Sequence, residues 1–193
     1  MDTKKHKYII IGLLVFLIIA STILINYGIS YMCATKPLRK FSKLIEQEQF
    51  NDINLTIYYM SPYISTGVPL NVDALIKFGS SSDISDVEKI VISSNDLEEQ
   101  VDLLNHISKA TLIPVMKKSY LNARIYYVFE TKKGDKTFDV AMWGGGNNSM
   151  FVNGVEVKEN TIFYDVIIPF LPEDAGKELE DYVSHKSVDQ SNK

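Results

Sequence analysis

The chain has 193 residues, 46% of them hydrophobic and 23% charged, with 20 Lys+Arg against 24 Asp+Glu for a formal net charge of −4. Three of the lysines and one of the acids precede a long uncharged run, so the remainder is more acidic still, without the basic patch that phosphate contacts require, and nucleic acid is not an expected partner. The single cysteine excludes an intrachain disulfide and a cysteine-rich zinc site.

From Tyr8 to Thr35 no residue is charged, and the stretch from Ile9 to Ile25 is dominated by Ile, Leu, Val and Phe. About 20 apolar residues cross a bilayer core as a helix, so residues 8–33 are expected to form a single transmembrane helix. A cleaved signal peptide has a shorter apolar region and a small-x-small cleavage site, whereas Met32-Cys33-Ala34 places a large residue where a small one is wanted. Ser30-Tyr31-Met32 before Cys33 does not follow the bacterial lipoprotein pattern. An uncleaved signal-anchor is therefore expected, with lipidation as the minor alternative. Lys4, Lys5 and Lys7 flank one side, and Lys36, Arg39, Lys40 and Lys43 the other, a near tie under the positive-inside rule. A seven-residue tail carrying three lysines resists translocation, which places residues 1–7 in the cytoplasm and the long domain outside the cell membrane. The second basic group suits anionic lipid head groups.

Thr35 and Pro37 read as the cap and first residue of a helix over residues 36–50, a stalk continuing from the span, with Leu38, Phe41, Leu44 and Ile45 at helical spacing. Its narrow apolar face favours packing on the domain over lying on the membrane. Ile53 to Met60 alternates as a strand. After a loop marked by Pro62, Gly67 and Pro69, Asn71 can cap a short helix, Val72 to Phe78, ending at Gly79. Val87 to Ser93 reads as a strand. Asn95 and Glu98 suggest a capping box for one helix from Asp96 to about Lys109, with Leu97, Val101, Leu104 and Ile107 as its buried stripe. Leu121 to Thr131 and Lys136 to Trp143 read as a hairpin whose Gly134 turn sets Glu130 opposite Lys136, because the alternative register pairs Glu130 with Asp139. Met150–Val152 and Val155–Val157 flank Asn153-Gly154, the strongest short hairpin signal. Asn160 to about Ile168 reads as a helix broken near Pro169, and Glu173 to roughly His185 as another, followed by a disordered tail over 186–193. The expected fold class is α+β: one domain over residues 51–185 with a mostly antiparallel sheet and helices on one face.

No metalloprotease, nucleophile-elbow, P-loop or dinucleotide motif occurs. Gly144-Gly145-Gly146-Asn147-Asn148 could form an anion nest, but it lacks a following Lys-Ser/Thr and serves equally as a connection between hairpins. His106 follows Asp102 by four residues and could ligate a metal, yet His6 and His185 are its only companions, so a surface histidine beside an acid is the better reading. Tyr58, Tyr59, Tyr63, Tyr120, Tyr126, Tyr127 and Trp143 form an aromatic-rich set. Tyr58, Tyr63, Tyr126 and Trp143 are its candidate binding surface for a peptide or glycan, against the plainer reading of sheet packing. Both faces of the Leu121–Thr131 strand are apolar, so that strand is either covered on both sides or part of an interaction surface.

The segments Lys89-Ile90-Val91-Ile92-Ser93…Leu97…Leu104-Asn105 and Ala123-Arg124-Ile125-Tyr126-Tyr127-Val128-Phe129…Val152-Asn153-Gly154 resemble uncharacterised single-span proteins of low-GC Gram-positive bacteria grouped under a domain of unknown function. The resemblance covers roughly residues 53–170 and rests on structural motifs; it implies no catalytic residue. The functional expectation is a single-pass, membrane-anchored, non-enzymatic binding or regulatory domain outside the cell. It needs no cofactor, and its partners are the lipid bilayer and another membrane protein or an envelope peptide. The alternative is an accessory or immunity-like subunit acting through its transmembrane helix, which carries only Gly12, Ala20, Ser21 and Gly28 as small residues. An envelope enzyme using Asp139, Glu130 or His106 is the third reading, weakened by the lack of a converging acid–base set.

Overall fold

The computed structural model describes residues 3–47, 52–81, 86–115, 122–143 and 149–191, the side chains of residues 3–7, 143 and 186–191 excepted. The uncharged run and the stalk form one helix, α1 (Thr3–Glu46), with Pro37 inside it. The expected restart at Thr35 does not occur: the Thr35 hydroxyl donates back to the Tyr31 carbonyl at 2.7 Å instead of capping forward. The two halves of α1 live in different surroundings. Large apolar residues from Tyr8 to Met32 are exposed, Phe16 by 67% and Leu24 by 70%, whereas Ala34, Leu38, Phe41 and Ile45 are buried in the domain core. This is one helix long and apolar enough to cross a membrane. The stalk expected to pack on the domain does so.

The domain is an open six-stranded sheet in the order β2-β1-β3-β4-β5-β6, every neighbouring pair antiparallel. Its strands are β1 (Ile53–Tyr59), β2 (Glu88–Ile92), β3 (Ala123–Thr131), β4 (Lys136–Trp143), β5 (Ser149–Val152) and β6 (Val155–Lys158). Both hairpin turns form as their sequences dictate. Glu130 faces Lys136 with Gly134 at φ 84°, and Asn153 and Gly154 sit at φ 51° and 74°, the left-handed pair a tight hairpin needs. β6 does not end the sheet bare: Val115 N–H donates to the Glu156 carbonyl and Lys158 N–H to that of Ile113.

Helices cover both faces of the sheet, not one. On the first face, α1 packs beside α4 (Val101–Ser108) and β4, and α5 (Ile162–Asp165) and α6 (Glu173–Ser191) complete a layer over Leu55, Ile57, Tyr127, Phe129, Phe138 and Val140. Phe41 of α1 is its keystone, with its ring 4.4 Å from that of Phe129 and 5.2 Å from that of Phe138. On the second face, α2 (Val72–Gly79) lays Leu75 over Tyr58, Tyr126, Val128 and Ala141. The doubly apolar β3 is therefore explained by cover on both sides. Asn71 caps α2 as expected, its side chain accepting from Ala74 N–H at 2.8 Å. Gly79 serves a different purpose from the expected left-handed stop: it is the last helical residue, and a Cβ there would lie 2.8 Å from the Tyr58 ring.

Two further expectations are corrected. The single helix from Asp96 is two short ones, α3 (Ser94–Glu98) and α4, broken at Glu99-Gln100. The capping box is set two residues earlier, with Ser93 as cap and Asp96 as its reciprocal partner, because both Ser93 N–H and Ser93 Oγ reach the Asp96 carboxylate. Near Pro169 the chain forms only α5 and a 3-10 turn, Ile168–Phe170. α6 continues to Ser191, through most of the residues expected to be disordered.

Candidate functional site

The aromatic set is divided by the sheet. Alternation along β1 and β3 sends Tyr58 and Tyr126 to the second face, where they stack with centroids 6.1 Å apart beneath α2 and are more than nine-tenths buried. Tyr59 and Tyr127 point into the first-face core. Tyr63 alone among the described tyrosines of the set is open, 57% exposed, its ring edge-on to Tyr182 of α6 at 5.7 Å. Tyr120, the Trp143 side chain and the Gly144–Asn148 run lie outside the described residues. Of the four residues singled out as a binding surface, the structure brings Tyr58 and Tyr126 together, as packing, and holds Tyr63 apart from them.

Around Tyr63 the loop between β1 and α2 is fixed by polar contacts that no motif announces. Arg124, 3% exposed, donates from Nε to the Ile64 carbonyl (3.1 Å), from Nη1 to Asn122 Oδ1 (2.7 Å) and from Nη2 to Thr66 Oγ1 (2.9 Å). All are neutral acceptors, and burial lowers the guanidinium's pKa. Glu178 of α6 clamps the other end of the loop, accepting from Tyr59 Oη at 2.7 Å and from Ser61 Oγ at 2.5 Å. Burial first, then this bond to a carboxylate, pushes the Tyr59 phenol far above its usual range. Beside the clamp lies a recess of about 500 Å3, lined by Tyr59, Ser61, Ile64, Asp86, Glu88, Asp174, Ala175 and Glu178. Both oxygens of Glu178 are already engaged, one by Tyr59 at the end of β1 and one by Ser61 of the loop.

The acid–base candidates do not converge. His106 is on the solvent side of α4, in the first-face layer, and burial holds the Asp165 carboxyl above its usual range, with His106 offsetting only part of that rise. Asp139 sits on the second face, 8% exposed, accepting from Tyr126 Oη at 3.3 Å and ion-paired to Lys136 at 3.1 Å, with its Oδ1 unpartnered. Glu130 neighbours Lys136 in the β3–β4 register. Among the described residues no group of three His, Cys, Asp or Glu is placed to hold a metal ion.

A basic feature was legible in sequence but not in its geometry. Lys36, Arg39, Lys40 and Lys43 lie on the outer side of α1, opposite the buried stripe, and none makes an ion pair with a described residue. Lys36 and Lys40 meet Lys136 of β4 around a cleft of about 490 Å3 that Pro37, Thr137 and Asn153 complete. No protein-family model matches the chain, and no curated protein or solved structure matches it either.

Proposed function

We propose that the chain is a single-pass membrane protein whose α+β domain is a non-enzymatic binding or regulatory module held outside the cell by an uncleaved anchor. The observation that carries this reading is the change of environment along α1. The segment from Tyr8 to Met32 presents apolar side chains on every side, which in water would be an exposed hydrophobic surface far beyond what a free domain tolerates. From Ala34 onward the same helix is a core element of the domain, burying Leu38, Phe41 and Ile45. The exposed segment and the buried stripe belong to one continuous helix, which ties the span directly to the domain core. The separation of His106 from Asp139 and Glu130 across the sheet favours binding over catalysis.

The partner is another membrane protein or an envelope peptide, met by the domain. The second reading, an accessory or immunity-like subunit acting through its span, draws on the same helix, whose large apolar side chains from Tyr8 to Met32 are exposed among the described residues. Exchanging residues 8–33 for an unrelated apolar helix of equal length separates the two. Crosslinking in intact membranes before and after the exchange should capture the same partner if the domain does the binding. Loss of that partner on exchange favours the span.

A further inference from the structure

We infer that the cleft of Lys36, Lys40 and Lys136 is a binding site for the phosphate of an anionic phospholipid, seating the base of the domain on the bilayer. The inference rests on the anchored reading above and adds a site that reading does not require. Lys36 and Lys40 stand one helical turn apart on α1, and Lys136 comes from the start of β4, so three ammonium groups from two elements face one cleft. Neither Lys36 nor Lys40 has a carboxylate partner among the described residues. Lys136 is paired to Asp139, but its side chain is 55% exposed while that of Asp139 is 12% exposed, so the cation lies outward of the anion. The cleft keeps a net positive charge on a chain that is net negative.

Its position relative to the apolar segment selects the ligand. Helical rise places Lys36 about 6 Å and Lys40 about 12 Å beyond Met32, the last exposed apolar residue of the run. The headgroup layer is about 5–7 Å deep on each side, so Lys36 falls within it, and Lys40 within about one Debye length, near 8 Å, of its surface. Lys136 is held at the same level because Asn153 Nδ2 donates to the Ala34 carbonyl at 3.1 Å, fixing this end of the sheet to the helix just above the span. An acidic domain close to an anionic surface is otherwise repelled, and the cleft supplies local attraction where the two meet.

The test uses the full chain in nanodiscs of phosphatidylcholine with a minor fraction of phosphatidylglycerol, released for native mass spectrometry to count bound lipid. The expected result is preferential retention of phosphatidylglycerol, reduced at least about tenfold in Lys36→Gln/Lys40→Gln/Lys136→Gln, since each lysine near the surface contributes roughly fivefold. The triple Lys→Arg variant at the same positions should bind as the parent does, which separates loss of charge from loss of fold. A control that neutralises Lys77, Lys158 and Lys177 should also behave as the parent. Equal retention of both lipids by the parent, or equal loss in the control, would overturn the site. Displacement of the lipid by millimolar inorganic phosphate would overturn the lipid as its ligand. A parent chain that does not enter nanodiscs at all would overturn the anchor and the site together, whereas incorporation without lipid preference would overturn the site alone.

Discussion

Arg124 holds the loop between β1 and α2 through acceptors on Ile64, Asn122 and Thr66, three directions that match a planar guanidinium and not an ammonium. Arg124→Lys should therefore destabilise the domain by about 1–3 kcal/mol, because a buried charge keeps its desolvation cost and loses two or more partners. Thermal unfolding of the two proteins in the same detergent checks this, and an unchanged midpoint would mean that the loop is held by packing alone. The tyrosines offer a second test at this scale. Burial raises Tyr59, Tyr126, Tyr127 and Tyr164 above the usual phenol value of 10.0, helped by Glu178 at the first, Asp139 at the second and third and Glu159 at the fourth. Phenols whose folded pKa is raised contribute stability in full below pH 10 and lose it as the pH climbs further. Ultraviolet phenolate titration should show part of the 11 tyrosines ionising near pH 10 and the rest only in step with loss of tertiary structure. Ionisation of all of them in one step before unfolding would contradict the burial described. The role of Arg124 was not legible in the sequence: it stands in a strand of aromatic and aliphatic residues, and its acceptors on Ile64 and Thr66 come from a loop 60 and 58 residues away in the chain.

The hairpins and helix caps were legible where the physics is local. Asn153-Gly154 and Gly134 state their positive φ angles in their own residue types, and Asn71 caps a helix by accepting from an N–H only three residues on. The break between α3 and α4 was not, because Leu97, Leu104 and Ile107 keep one buried stripe across it, so periodicity reads straight through. Pro37 misled in the opposite direction. Proline in a helix interior removes a hydrogen bond and favours a boundary, yet α1 runs through it with the core contacts of Leu38, Phe41 and Ile45 holding the next turns in register. That continuity makes a testable pattern. With Cys33, an exposed residue and the chain's single cysteine, replaced by Ser, cysteines introduced one at a time from Ala34 to Ile45 should react slowly with a polar maleimide at 34, 38, 41 and 45. They should react fast at 36, 39, 40 and 43. Uniform reactivity would mean that the stalk is free of the domain.

At the scale of the molecule, an α+β domain with an antiparallel sheet could be anticipated from hairpin signals and mixed element order, while cover on both sheet faces could not be settled. Alternation in β1 is polar at Asn54 and Thr56 and turns aromatic at Tyr58, the place where α2 begins to cover the second face. The same ambiguity explains the candidate aromatic surface. Tyrosine suits both a groove and a covered sheet, and side-chain type alone does not separate them. The whole-molecule account stands on α1 as a permanent link between lipid and domain. Its most direct test is the intact mass of the protein from expressing cells, measured on membranes washed with alkaline carbonate and on the culture fluid. The account predicts the uncut chain in the washed membrane and none outside. A shortened chain in the fluid, beginning just beyond Met32, would contradict it.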